Sequence, residues 1–197
     1  MKKLAILIPT LEKRKESLNR LLNILSIQIN TDDIIVITNT DNGEKATGQK
    51  RNELIETAKV REAEYICFID DDDLPSKDYI EKAMNGLKSN PDCLSLTGMY
   101  YINGRAMKPF IHSLKFKEWG ETKDYYYRCP NHLNVVKLEL IKDIPYESKY
   151  FGEDGTWSMA VQESGVLKKE SEVDGIIYHY FTGVKNLQKE KGMVGYD

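Results

Sequence analysis

The chain has 197 residues, of which 41% are hydrophobic and 30% charged, a composition typical of a globular protein with one sizeable core. Its 28 basic and 31 acidic residues give a formal net charge of -3, so we expect no nucleic-acid partner. The 3 cysteines have no CxxC spacing, which argues against a zinc site or a disulfide framework. No apolar run is long enough to span a bilayer, so we expect no transmembrane segment and a soluble, cytoplasmic protein.

The amino-terminal part of the chain alternates apolar runs with an amphipathic segment. Residues 3–9 (KLAILIP) predict a buried strand that ends at a proline, and residues 33–38 (DIIVIT) predict a second strand. Between them, residues 12–29 carry leucines at helical spacing, separated by charged residues, which predicts an amphipathic helix. Strand, helix and strand in this order indicate a right-handed crossover in a parallel sheet.

Four consecutive aspartates, Asp70 to Asp73, directly follow the apolar run YICFI. A run without polar alternation predicts a central strand buried on both faces, because helices cover both sides of a parallel sheet. Open α/β sheets bind their ligands beyond the carboxyl ends of the strands, so the aspartates lie where a ligand site is expected. A divalent cation, Mn2+ or Mg2+, would relieve their mutual repulsion. The alternative is an acidic loop that only caps the next helix, through Asp73 or Ser76.

The segments on either side of this strand add weaker signals. Residues 48–52 (GQKRN) begin a predicted helix whose free amides and basic residues would suit a phosphate, although a solvated helix start explains them equally well. Residues 94–102 predict another strand, and residues 105–128 are aromatic and irregular. This change of character divides the single domain that we expect over residues 1–197 into two halves, 1–98 and 99–197.

Two further candidate groups lie in the second half. Glu153 and Asp154 follow a glycine at a predicted helix start, where a carboxylate can act as a general base or simply favour the positive end of the helix. His179 lies on the predicted last strand, residues 173–181, either as a metal ligand or as a structural residue.

In this order the features resemble the family 2 glycosyltransferases of the GT-A fold. The resemblance covers about residues 3–181, and its specific parts are Arg51-Asn52 leading through a helix to YICFIDDDD, and FGEDGTWS further on. It implies an α/β fold: a three-layer α/β/α, Rossmann-like, mostly parallel sheet, with the nucleotide sugar bound by residues 1–98 and the acceptor by residues 99–197. It also implies the transfer of one sugar from a nucleotide donor, a UDP-sugar in the first place, to a hydroxyl of a glycan or another acceptor, with inversion.

The resemblance also implies roles for the matching positions. The nucleotide sugar is expected to contact Pro9, Thr10, Glu12, Asn39, Arg51, Asp70 and Asp71. The implied ligands of Mn2+ or Mg2+ are Asp70, Asp72 and His179. Asp154 matches the catalytic base, with Glu153 and Trp157 on the acceptor side.

The chain departs from the family pattern at two places: Thr38-Asn39 stands where the family usually has Asp-Asp, and Leu11 stands where an aromatic residue is common. The residues leave two other classes open. A nucleotidyltransferase that forms sugar nucleotides uses a similar sheet, but residues 9–15 lack the glycine-rich loop that it needs. A nucleotide- or glycan-binding module of the same fold would show no turnover.

Overall fold

A computed structural model describes residues 2–183 of the chain. The described strands are β1 (Lys2–Leu11), β2 (Ile34–Asp41), β3 (Ala63–Phe68), β4 (Leu74–Pro75), β5 (Cys93–Leu94), β6 (Leu96–Ile102), β7 (Arg105–His112), β8 (Gly120–Glu121), β9 (Tyr126–Arg128), β10 (Val136–Lys137), β11 (Glu170–Ser171) and β12 (Tyr178–Thr182). The described helices are α1 (Lys15–Gln28), α2 (Thr47–Val60), α3 (Tyr79–Leu87), α4 (Leu138–Ile141) and α5 (Glu153–Ser164), with a 3-10 turn at Glu12–Arg14.

The first sheet contains six strands in the order β11-β5-β10-β3-β1-β2. Its centre is parallel, since β1 pairs in parallel with both β2 and β3. Residues 4–10 of β1 are all buried, and alternate residues face opposite sides of the sheet. Ile6 packs in one core with Leu21 of α1 and Ile80 of α3, whereas Leu7 packs in the other with Leu54 of α2. The α/β fold class with helices on both faces, predicted from the apolar runs, is therefore confirmed.

A second six-stranded sheet, in the order β4-β12-β6-β7-β9-β8, lies beyond the first. It mixes parallel and antiparallel pairs: β6 pairs in parallel with β12 and antiparallel with β7. The strand predicted over residues 94–102 is divided, because β5 pairs in the first sheet and β6 in the second. The expected boundary between residues 98 and 99 falls inside β6. The domain expected over residues 1–197 extends past the described residues.

The loop that carries the four aspartates, Asp70 to Asp73, connects the two sheets, and we call it the aspartate loop. It leaves β3 of the first sheet and enters β4, which pairs antiparallel with β12 in the second. Asp73 is fully buried and accepts hydrogen bonds from the Tyr178 hydroxyl at 2.9 Å and the Phe181 amide at 3.0 Å. These bonds anchor the loop, so that the other aspartates are presented at the boundary between the sheets. Within residues 2–183, no helix is both long and apolar enough to cross a membrane.

Candidate active site

A cavity of about 600 Å³ opens at the carboxyl ends of β1 and β3, where the two sheets meet. One side of it is lined by Thr10 near the end of β1, by Arg51 of α2 and by the aspartate loop. The other side is lined by residues of the second sheet and by Asp154 of α5. Residues far apart in the sequence therefore share one cavity at the sheet edge where ligands of α/β proteins bind.

Asp71 ties the aspartate loop to the end of β1. Its carboxylate accepts hydrogen bonds from the Thr10 hydroxyl at 2.5 Å and from Arg14 Nη1 at 2.7 Å. Burial raises the pKa of Asp71, and these two donors only partly oppose that rise. Arg14 Nη1 also lies 3.6 Å from Asp72 Oδ2, so Arg14 is placed beside two neighbouring carboxylates.

Arg51 joins the aspartate loop to the start of α5. Its Nη2 donates to Asp70 Oδ1 and its Nε to Glu153 Oε1, each at 3.0 Å, and the side chain is almost completely buried. Burial alone would raise the pKa of Asp70, but the charge of Arg51 and the contact with His132 hold it well below its usual range. Asp70 therefore stays ionised inside the cavity wall.

His132 lies between the aspartate loop and α5. Its Nε2 is 3.4 Å from Asp70 Oδ2 and its Nδ1 is 3.7 Å from Asp154 Oδ2. The ring is buried, in a turn where Asn131 Oδ1 accepts a hydrogen bond from the Leu133 amide. Sequence reasoning missed this residue, because a lone histidine in a segment without regular structure carries no periodic signal.

Glu153 and Asp154 occupy the first turn of α5, after Gly152 in the left-handed conformation (φ 77°). Neighbouring residues of a helix point about 100° apart. Glu153 is accordingly buried against Arg51, whereas the Asp154 side chain is 26% exposed and lines the cavity. The two carboxylates predicted together thus have different environments, and Asp154 is the more exposed of the two.

The sequence profile of Glycosyl transferase family 2 matches residues 10–142, more than half of the chain. The chain belongs to glycosyl transferase family 2. The matched range includes Thr10, Arg51 and the aspartate loop, and it ends before Asp154. A search of curated proteins found no match.

Solved structures of low sequence identity share the fold of this family 2 member. S. aureus TarS 1-349 in complex with UDP has a TM-score of 0.66 at 19% identity, over 91% of this chain and 60% of that one. The complex of TarS 1-349 with UDP-GlcNAc has a TM-score of 0.66 at 18% identity, over 96% and 61%. A197 from STIV has a TM-score of 0.51 at 13% identity, over 91% and 86%. The chain thus spans about 60% of TarS 1-349, and the likeness bears on the GT-A fold alone.

Most of the residues that the family resemblance singled out line the cavity. They are Pro9, Thr10, Arg51, Asp70, Asp71, Asp72, Glu153 and Asp154. Two of the expected nucleotide contacts lie outside its lining. Glu12 is exposed at the start of the 3-10 turn, and Leu11 and Arg14 on either side face the cavity instead. Asn39 donates to Glu53 at 2.8 Å on the surface, away from the cavity lining.

Trp157 and His179 also depart from the expected positions. Trp157 is buried, stacks on Tyr146 at 4.7 Å and donates its indole N–H to the Ile144 carbonyl, so it is a core residue rather than an acceptor contact. His179 Nδ1 lies 3.2 Å from the Tyr101 hydroxyl, outside the cavity lining. Side chains alternate along a strand, and Tyr178 reaches Asp73, so His179 faces the other side of β12. Asp70, Asp72 and His179 are therefore not brought together.

The remaining carboxylates fit a divalent cation that takes few protein ligands. Asp70 and Asp72 side chains are 26% and 21% exposed and line the cavity. Within residues 2–183, no group of three or more histidine, cysteine or acidic side chains is arranged to hold a metal. Mg2+ and Mn2+ commonly use one or two carboxylates and complete their coordination with substrate phosphates. The donor set suits a metal that is shared with a diphosphate.

Proposed function

We propose that this family 2 protein is a metal-dependent, inverting glycosyltransferase that moves one sugar from a UDP-sugar to an acceptor hydroxyl. The observation that carries the proposal is the shared cavity, in which Asp70 and Asp72 lie on one side and Asp154 on another element. The first pair suits a metal and a diphosphate, and the last offers an open carboxylate. The TarS complexes with UDP and UDP-GlcNAc support the choice of donor.

The donor would lie along the carboxyl end of β1, with its nucleoside at Pro9 and Thr10 and its diphosphate at the aspartate loop. Asp70 and Asp72 would hold Mn2+ or Mg2+, which supplies positive charge to a departing nucleoside diphosphate. Arg14 contributes a second positive charge at the same place, 3.6 Å from Asp72. Arg51 keeps Asp70 ionised and oriented, since it donates to that carboxylate from a buried position.

Asp154 would act as the general base. Its carboxylate takes the proton of the acceptor hydroxyl as the hydroxyl oxygen forms a bond to the anomeric carbon. The bond from that carbon to the diphosphate oxygen breaks, and its electron pair leaves with the nucleoside diphosphate. Attack from the side opposite the leaving group inverts the anomeric centre. His132 lies between Asp70 and Asp154, and Arg51 joins Asp70 to Glu153. These contacts hold the carboxylates of the aspartate loop in place relative to those of α5.

The proposal is tested by donor binding and turnover in parallel. The midpoint temperature of unfolding with UDP is expected to rise when Mn2+ is added and to fall back in EDTA, because the metal would join the diphosphate to the aspartates. Slow hydrolysis of a UDP-sugar without acceptor is expected for an enzyme and not for a pure binding module. Stabilisation by UDP without any turnover of a panel of UDP-sugars would contradict the proposed activity.

A further inference from the structure

Three tyrosines of the second sheet form a continuous wall of the cavity, which we call the tyrosine wall: Tyr100 of β6, Tyr126 of β9 and Tyr180 of β12. The rings of Tyr100 and Tyr180 stack with centroids 5.4 Å apart, and their strands place these residues directly side by side. Tyr126 meets Tyr100 edge to face at 5.8 Å. The wall thus offers a broad aromatic surface to the cavity, and Tyr180 is 38% exposed.

The hydroxyls of the tyrosine wall differ from those of the core tyrosines. Tyr65 donates to the Pro91 carbonyl at 2.7 Å, and Tyr178 donates to Asp73 at 2.9 Å. Buried hydroxyls are normally bonded in this way, because an unmet one costs free energy. In the part of the chain that the structure describes, the wall hydroxyls have no protein hydrogen-bond partner. Their hydrogen-bonding capacity is therefore left for a ligand of the cavity that these residues line.

Arg128 lines the cavity beside the tyrosine wall and adds a positive charge that no carboxylate pairs within residues 2–183. Its guanidinium lies 4.1 Å above the Trp119 ring and lines the cavity. The other cavity arginines are paired, Arg14 with Asp71 and Arg51 with Asp70, whereas Arg128 has no carboxylate within ion-pair distance among residues 2–183. Burial lowers the pKa of Arg128, and the nearby charge of Asp154 opposes that change. Arg128 and Asp154 line the same cavity, so the guanidinium donors share it with the proposed base.

We propose that the tyrosine wall and Arg128 bind a sugar ring of the acceptor, so that the acceptor is a saccharide. This inference rests on the proposed glycosyltransferase function. The C–H face of a sugar ring packs on aromatic rings, and its hydroxyls both donate and accept hydrogen bonds, as phenol hydroxyls do. The arginine supplies further donors to sugar oxygens.

Position favours the acceptor over the donor as the occupant. The proposed nucleoside position is at the end of β1 in the first sheet, with the diphosphate at the aspartate loop, whereas the tyrosine wall comes from the second sheet. Tyr180 and Asp154 line the same cavity. A sugar ring bound at the wall would therefore share that cavity with the proposed base. Aromatic pairs outside the cavity lining, such as Phe116 and Tyr127 at 4.9 Å, serve the fold instead.

Saturation-transfer NMR with methyl glycosides tests the inference. Irradiation of the protein's aromatic protons is expected to transfer saturation to ring protons of at least one of the methyl glycosides of glucose, galactose, mannose and N-acetylglucosamine, added with UDP and the diamagnetic Mg2+. Tyr180→Leu and Tyr100→Leu are expected to weaken glycoside binding by about tenfold, since each removes an aromatic face and keeps an apolar side chain. Tyr125→Leu is the matched control, because Tyr125 lies outside the cavity lining.

The same measurement separates the outcomes. Tyr180→Phe keeps the ring and is expected to bind the glycoside more tightly than Tyr180→Leu. No transfer to any of the four glycosides, or equal transfer in Tyr180→Leu and the wild type, would overturn the inference. Displacement of the glycoside by an intact UDP-sugar, but not by UDP, would assign the wall to the donor sugar and overturn it as well. Failure of the proposed function would appear elsewhere, as the absence of UDP binding or donor turnover.

Discussion

At the scale of single residues, the site depends on how neighbours in the sequence are separated in space. Asp70, Asp71, Asp72 and Asp73 are consecutive, yet Asp73 is used to anchor the loop and Asp71 to hold Thr10 and Arg14. Asp70 and Asp72 are the two that we propose for a metal and a diphosphate. The run of aspartates was visible in the sequence, but this division depends on tyrosine and arginine partners that are distant in the chain and could not be predicted from it.

His132 gives a residue-scale prediction, because its two ring nitrogens face different carboxylates. The amide nitrogen of asparagine lies near the position of Nδ1, and that of glutamine near Nε2. His132→Asn should therefore keep the contact to Asp154, and His132→Gln the contact to Asp70. His132→Gln loses the contact that orients Asp154 but keeps the one to Asp70. We therefore expect it to lower kcat by about tenfold or more and to leave the donor KM nearly unchanged.

His132→Asn is expected to show the reverse pattern, with a raised donor KM and a smaller loss of kcat. Steady-state kinetics of both variants, with thermal unfolding to confirm folding, makes the comparison. Equal effects of the two variants on kcat and KM would mean that the imidazole only fills space, and this role for His132 would then be abandoned.

At the scale of elements, Arg51 holds three segments together: α2, which carries it, the loop after β3, and the start of α5. Removing one partner of a buried ion pair leaves an uncompensated charge and typically costs ~3–5 kcal/mol. We expect Arg51→Met to lower the free energy of unfolding by about that amount, measured in urea. Arg61→Met, at the exposed end of α2, is the control and should change stability by less than ~0.5 kcal/mol. Similar unfolding midpoints for the two variants would contradict the structural role of Arg51.

The elements also show what the sequence could and could not predict. The parallel centre of the first sheet followed from apolar runs such as residues 3–9, because burial on both faces leaves a pattern that can be read locally. The division of residues 94–102 between two sheets did not, since it depends on partners such as β12 that come much later in the chain. The tyrosine wall was missed for the same reason: its three rings come from three strands, and their order is set by the sheet rather than by the sequence.

At the scale of the whole molecule, buried histidines make stability depend on pH. Burial, and secondly the charge of Arg128, keeps the pKa of His112 well below its ordinary value, and burial lowers the pKa of His179. The unfolded chain binds these protons near pH ~6.5 and the folded one does not, so stability is lost as the pH falls below that value. Asp70, whose pKa is also lowered, extends the loss below pH ~4, whereas Asp71, whose pKa is raised, acts in the opposite direction there.

We therefore expect the free energy of unfolding to decrease between pH ~6.5 and ~5, and His112→Gln to flatten that decrease, because glutamine does not titrate. Urea unfolding at a series of pH values measures both slopes. An unchanged slope in the variant would show that the proton is not excluded from His112 in the folded state.

We propose that the cavity between the sheets supports a single displacement with Asp154 as the base. The most direct test follows by NMR the sugar released from an α-linked UDP-sugar with Mg2+, and records which anomer forms first. We predict the β anomer for the wild-type protein, and for Asp154→Asn a loss of turnover of about a hundredfold or more with UDP binding retained. Asp124→Asn, on the surface, is the matched control. Initial release of the α anomer would contradict a single displacement, and full turnover by Asp154→Asn would contradict the role of Asp154 as the base.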